Sequence, residues 1–341
     1  MKRGMGMFKR CVLAVAVLLA IGAFAACGSN DDSGGGGSGA DSGGKEVKKI
    51  AFFGFASANS FAQATYAGIK EEAAKQGVQV KFFDPNFDSA KQVSQIQNAI
   101  TTGDYQAFVV QANDGNAVVP PIRDAIEEGI TVVGEFTPIG TKYDTIEPQV
   151  PGLIFVGEPP TENGTALGEL GVDACKGMDP CNVAYLEGFK ALPLDNARTD
   201  AVKAALGKAA NVKLVASVEG GYTQDTGLKA AQNVLQAHPD VNVMIGSSQA
   251  IAGAEQAVKD AGAKVKLIGN GGSRQAVEAV KSGRWFATYV IAEKSAGAKA
   301  AELAIKKAKG QEVPASFDTR TLQEPKGTKE SLGDFEGQYD E

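Results

Sequence analysis

Residues 106–136, QAFVVQANDGNAVVPPIRDAIEEGITVVGEF, decide the fold. The run at 106–111 is short, apolar and β-branched, and so is the run at 130–136. Asn, Asp and Gly close the first run, and the spacing predicts a helix over Asn116–Glu128. That helix tolerates Pro120 and Pro121 only near its first turn. A buried strand, a helix and a second buried strand make a parallel pair joined by a crossover.

The same alternation extends upstream: a strand at 48–55, a helix over Ser60–Gln76, a strand at 78–84 and a helix over Ser89–Thr102. Four strands alternating with helices imply a doubly wound parallel sheet. Downstream the pattern stalls in TPIGTKYDTIEPQVPG (137–152), then resumes as a strand at 153–157. A second series follows, with strands at 182–188, 212–219, 241–247, 264–270 and 284–291. Its helices lie over Glu162–Lys176, Asp195–Lys208, Asp225–Ala237, Ala250–Ala261 and Arg274–Ser282. A long helix over Glu293–Lys309 closes it, and the tail beyond Gly310 is polar apart from a strand expected at Thr319–Gln323. The fold class is therefore α/β, in two units of similar size without a detectable sequence repeat.

The 341 residues suit one large or two medium domains. Lys and Arg number 34 against 40 Asp and Glu, and four of the basic residues fall in the first ten. A nucleic-acid binder needs the opposite balance, because phosphate contacts supply most of its affinity. The basic start is followed by CVLAVAVLLAIGAFAA (11–26), too short to span a bilayer and laid out as a secretory signal. Residues 28–46, GSNDDSGGGGSGADSGGKE, have no apolar face and read as a flexible tether with a reach of roughly 25 Å. Cys175 and Cys181 lie close together in CKGMDPC, which in an oxidising exterior reads as a local disulfide.

In open parallel sheets, ligands sit beyond the carboxyl ends of the strands. Those ends carry Phe55, Asn59 and Phe61, then Gln111, Asn113 and Asp114, then Glu135 and Phe136. In the second unit they carry Glu187, Phe189, Tyr222, Ser248, Gln249 and Asn270, with Arg198 at the start of a helix. Amides, a few charges and aromatic rings suit a small polar ligand with one apolar face. Taken singly, Asp114 reads as a helix cap, and so does Glu162 or Asn163. Enzyme signatures are weak. GNGG (269–272) lacks the spacing of a dinucleotide loop and reads as a tight turn. His238, the single histidine, reads as a helix end. No convergent acid, base or metal cluster emerges, so neither catalysis nor a cofactor is expected.

Phe24-Ala25-Ala26-Cys27-Gly28 resembles the lipobox of bacterial lipoproteins, with Phe24 where Leu is usual. This implies a lipidated Cys27 and a domain held just outside the cell membrane. From about 48 to 323 the chain resembles the solute-binding proteins of bacterial ABC importers, in the ribose/galactose-binding branch of the periplasmic binding protein-like I family. The stretches that carry this include IAFFGFASANSFAQATYAGIKEEAAKQG, TENGTALGELG, LQAHPDVNVMIGSSQAIAGAEQAVKDAG and VKLIGN. The resemblance implies two lobes with three crossings, near 158–161, 291–293 and 312–316. The first lobe would comprise 47–160 and 292–314, and the second 161–291 and 315–325, leaving 326–341 as a polar tail. It also implies a ligand held between the lobes by hinge closure, an ABC permease as partner and a monomeric state.

By the same resemblance, Asn59, Phe61, Gln111, Arg198 and Tyr222 occupy ligand-contacting positions. Phe136 and Asn270 stand where carboxylates are expected, with Glu135 adjacent to Phe136. Ser248 replaces an Asn and Ile291 a Gln. A sugar or polyol is the first expectation, and a less hydroxylated, anionic or nucleoside-like ligand the alternative. A receptor-coupled sensor would have the same fold and site.

Overall fold

The computed structural model of the chain describes residues 46–341. The expected signal at 1–26, Cys27 and nearly all of the tether lie outside the described residues. The chain runs β1 (Lys49–Phe53), α1 (Ser60–Ala74), β2 (Gln79–Phe83), α2 (Ser89–Thr102), β3 (Ala107–Val110), α3 (Val119–Glu127), β4 (Thr131–Glu135) and β5 (Ile154–Gly157). It then forms α4 (Pro160–Ala174), β6 (Cys181–Glu187), α5 (Pro193–Leu206), β7 (Val212–Glu219), α6 (Gln224–Ala237), β8 (Val243–Gly246), α7 (Ser248–Asp260), β9 (Lys266–Asn270), α8 (Arg274–Lys281) and β10 (Ala287–Tyr289). Last come α9 (Glu293–Ala308), β11 (Ser316–Asp318) and β12 (Lys326–Gly327).

Two six-stranded sheets result, in the orders β11-β5-β4-β3-β1-β2 and β12-β10-β9-β8-β6-β7. Every pairing is parallel except β10 with β12. The inner strands β3, β5, β6 and β8 are buried at every residue. Helices cover both of their faces, which is why these runs are continuously apolar rather than alternating. In the first lobe one face packs under α1 and α9 around Phe52, Ile69 and Ile305, and the other under α2 and α3 around Phe53, Phe108 and Ile122. Helices α1 and α9 meet backbone to backbone: a Cβ on Gly68 would lie 1.9 Å from the Lys294 carbonyl, and one on Gly297 2.3 Å from that of Thr65. Cys175 and Cys181, both buried, form a disulfide joining the end of α4 to the start of β6.

Several boundaries differ from the expectation. Strand β11 pairs with β5, Phe317 opposite Val156, so the segment that begins the expected 315–325 part of the second lobe belongs to the first. The third crossing therefore follows Asp318 instead of falling at 312–316. The strand itself lies at 316–318 and not at 319–323, because Asp318 caps a tight turn at Thr319–Thr321 by accepting from the Arg320 N–H. The polar tail 326–341 is structured: Gly327 pairs with Thr288, and Leu332 and Tyr339 are buried. At α3, Asp114 accepts from Asn116 and Ala117 and caps a turn leading into the helix, which begins at Val119 with proline in its first turn.

Candidate functional site

The carboxyl ends of both sheets face one cleft, which encloses about 530 Å³ with the open solvent at its mouth included. The first lobe contributes Phe55 after β1, Asn59 and Phe61 at the start of α1, Phe87 before α2, Ala112 and Asn113 after β3, and Phe136 and Thr137 after β4. The second contributes Leu192, Leu194, Asp195 and Arg198 around the start of α5, then Tyr222, Gln249 and Asn270. Ile291 lines it from the second crossing.

Local chemistry fixes several of these groups. Asn59 caps α1 by accepting from the Ala62 N–H, which sets its side chain at the helix entrance. Arg198 and Asp195 sit one turn apart on α5, both buried, with Nη1 2.9 Å from Oδ1. Arg198 Nε donates to Asn163 Oδ1 at 2.6 Å, and Asn163 exchanges hydrogen bonds with Asn270. Asp195 also accepts from the Phe189 N–H at 2.8 Å and from the Tyr222 hydroxyl. Burial pushes the Asp195 carboxyl up, against the opposing pull of Arg198 and Tyr222. The guanidinium also lies 5.8 Å from the Phe136 ring centroid, across the cleft.

Phe87 and Phe136 have φ of 60° and 61°. Bulky side chains rarely adopt this left-handed region, which costs roughly 1–2 kcal/mol. Phe136 meets Phe61 edge to face at 4.8 Å. Phe87 reaches across the mouth to Phe189 at 5.2 Å and Tyr222 at 6.3 Å, and Gln249 donates to Ser60 at 3.2 Å. The lobes therefore meet at the cleft mouth.

Of the expected site residues, Phe55, Asn59, Phe61, Phe136, Arg198, Tyr222 and Asn270 converge on the cleft. Phe189 stands at its mouth, against Phe87. Gln111 and Glu135 do not line it. They lie beneath its floor, where the Gln111 amide donates to Glu135 at 2.7 Å, Glu293 at 3.0 Å and Thr65 at 2.6 Å. Burial pushes Glu135 up to about 8; burial and the neighbouring Glu135 push Glu293 up as well. Both shifts favour the neutral acid over the carboxylate. Ser248 is fully buried behind Gly271, where a Cβ would come within 2.4 Å of its hydroxyl.

Sequence reasoning missed Phe87, Asp195, Asn163 and Tyr339. Asn163 is no helix cap, since α4 begins at Pro160 without a side-chain cap. The three-residue spacing of Asp195 and Arg198 carried a signal, because such a pair shares one helix face. Among the described residues no group of three or more His, Cys, Asp or Glu could hold a metal ion.

Residues 50–312 match the family described as periplasmic binding protein domain. The chain is 26% identical to the ribose import binding protein RbsB of Salmonella typhimurium, over 76% of this chain and 84% of that protein. It is 28% identical to a D-ribose/D-allose-binding protein of Pseudomonas aeruginosa, over 59% of this chain and 62% of that protein's length. An ABC transporter periplasmic solute-binding protein of Actinobacillus succinogenes, solved with bound D-allose, superposes with a TM-score of 0.72 at 23% identity, covering 84% of this chain and 100% of that one. With a match of this extent, and two α/β lobes closing on a cleft at the strand ends, the chain belongs to the periplasmic binding protein domain family.

Proposed function

We propose that the chain is the extracytoplasmic sugar-binding component of an ABC importer, held to the membrane by lipid on Cys27. It captures one small ligand between its lobes and presents the closed form to a permease. The observation that carries this reading is the cleft, where amides, a buried ion pair and aromatic rings from both lobes converge. The named relatives bind ribose or allose. The groups in the cleft suit holding a molecule and lack a free acid, base or nucleophile set for transforming one. As a monomer the chain would take up one ligand per copy.

Thermal unfolding against sugars, polyols, nucleosides and small acids tests the reading. A ligand at a thousand times its Kd adds about 4 kcal/mol to the folded state. At this chain length that is a shift of several degrees. A shift with a sugar supports the proposal, and shifts only with acids or nucleosides overturn the sugar assignment. The anchor has its own test: Cys27→Ser should move the protein from the membrane fraction to the soluble one, and unchanged partition would exclude lipid at that residue.

A further inference from the structure

The inference drawn from the chemical balance of the cleft rests on the sugar reading above. The charges of the cleft cancel: among the described residues Arg198 is the one cation that lines it, Asp195 the one anion, and the two are paired and buried. An anionic ligand would arrive as an unmatched buried charge, which is strongly unfavourable.

Most of the polar groups are already committed within the protein. Asn59 Oδ1 caps α1, Gln249 donates to Ser60, Asn270 pairs with Asn163, and Asp195 accepts from Arg198, Tyr222 and Phe189. Two groups that are not committed lie side by side. Both amide atoms of Asn113 and the hydroxyl of Thr137 are buried without a hydrogen-bond partner among the described residues. They follow β3 and β4, which are adjacent and in register at Val110 and Gly134. One edge of the cleft thus presents a donor, an acceptor and a hydroxyl to a ligand.

Much of the remaining wall is hydrocarbon: phenyl rings, two leucines, Ala112 and Ile291. Phe87 and Phe136 reach it from left-handed backbone, and among the described residues Asn86 is the only other non-glycine with positive φ. Strain of this kind persists where the surrounding structure enforces it, and it gathers at binding sites. A ligand hydroxyl buried against these rings would lose its water without gaining a partner, which weakens binding.

We infer that the ligand is an uncharged deoxy sugar, whose hydroxylated edge meets Asn113 and Thr137 and whose deoxy carbon packs against the phenyl rings. Calorimetric titration with matched sugars tests this, using the chain from residue 27 onward with Cys27→Ser. The sets are D-fucose, D-galactose and D-galacturonate; 6-deoxy-D-glucose, D-glucose and D-glucuronate; L-rhamnose and L-mannose; and 2-deoxy-D-ribose and D-ribose. Within each set a single substituent changes. The expected result is that the tightest binder is a deoxy sugar, that its hydroxylated partner is at least tenfold weaker, and that neither acid binds measurably. A hydroxylated sugar or an acid as tightest binder, or a ratio below tenfold, overturns the inference and leaves the sugar reading standing. Binding by none of these sugars overturns both.

Discussion

Tyr289, at the end of β10 in the second lobe, donates its hydroxyl to Glu158 Oε2 at 2.7 Å, beside the first crossing between the lobes. The second carboxylate oxygen of Glu158 is buried without a partner among the described residues. A carboxyl group placed there is held best as the neutral acid. Burial pushes Glu158 up to about 7, against the opposing pull of Tyr289, Arg198 and Arg320.

The sign of the resulting pH dependence follows from linkage. A carboxyl whose folded pKa lies above its unfolded one binds its proton more tightly in the folded state. Its contribution to stability is complete below the unfolded pKa and is lost as pH rises through the folded one. For Glu158 the window runs from the ordinary carboxylate range near 4.5 up to about 7, and its size is roughly 3 kcal/mol. Glu158→Gln mimics the neutral acid, so its unfolding midpoint should decline less than that of the parent between pH 4.5 and 8. Denaturant titrations at several pH values measure this. An identical decline in parent and variant would place the dependence elsewhere.

Asn113 gives a prediction with opposite signs for binding and stability. Its amide is buried without a partner among the described residues, a burden that a ligand relieves. Asn113→Ala should therefore leave the free protein as stable as before or slightly more so. Affinity for the bound sugar should fall at least tenfold, about 1.4 kcal/mol. A variant that loses stability and keeps its affinity would assign Asn113 to the scaffold.

Arg198 acts first on Asp195. Removing one partner of a buried ion pair leaves the other uncompensated, at a cost of about 3–5 kcal/mol. Arg198→Ala should thus weaken binding by tenfold or more and also lower the unfolding midpoint. Arg198→Met combined with Asp195→Asn should recover much of the stability, because no unmatched charge remains, while binding stays weak. Full recovery of binding in the double variant would show that the pair positions the cleft walls without meeting the ligand.

The alternation of strands and helices was legible because strands covered on both faces, such as Phe108–Val110, stay apolar residue after residue. The strand ends were legible for the same reason, and seven expected site residues met there. Gln111 and Glu135 were placed at the right ends but on the wrong side. One residue along a strand reverses the side chain's direction, so Glu135 points below the floor while Phe136 enters the cleft. Phe87 left no signal of its own: Asn86 favours the left-handed region, but a phenylalanine rarely adopts it, so the turn that carries its ring into the cleft could not be read at its position. The tail read as polar because Leu332, Phe335 and Tyr339 follow no period, yet they pack on the second lobe and on Phe61.

That tail supplies the last prediction. The Gln338 N–H donates to the Gly272 carbonyl at 2.9 Å, and the Tyr339 carbonyl accepts from the Arg274 N–H at 2.8 Å, which ties the segment to the second lobe. The Gln338 side chain donates to Ser295 Oγ and accepts from the Ser295 N–H, on the first turn of α9 in the first lobe. The Tyr339 ring meets Phe61 edge to face at 6.3 Å, and its hydroxyl has no partner among the described residues. The segment therefore holds both lobes and backs a ring of the cleft. Tyr339→Ala should cost about 3–5 kcal/mol as a large-to-small change at a buried site. It should also weaken sugar binding severalfold, by freeing Phe61. Tyr339→Phe keeps the ring and loses only the unpartnered hydroxyl, so both stability and affinity should stay near the parent values. Thermal midpoints and calorimetric affinities of the two variants separate the roles. If Tyr339→Ala lowers the midpoint alone, the tail braces the fold. If affinity falls as well and Tyr339→Phe restores it, the ring sets the position of Phe61 in the cleft.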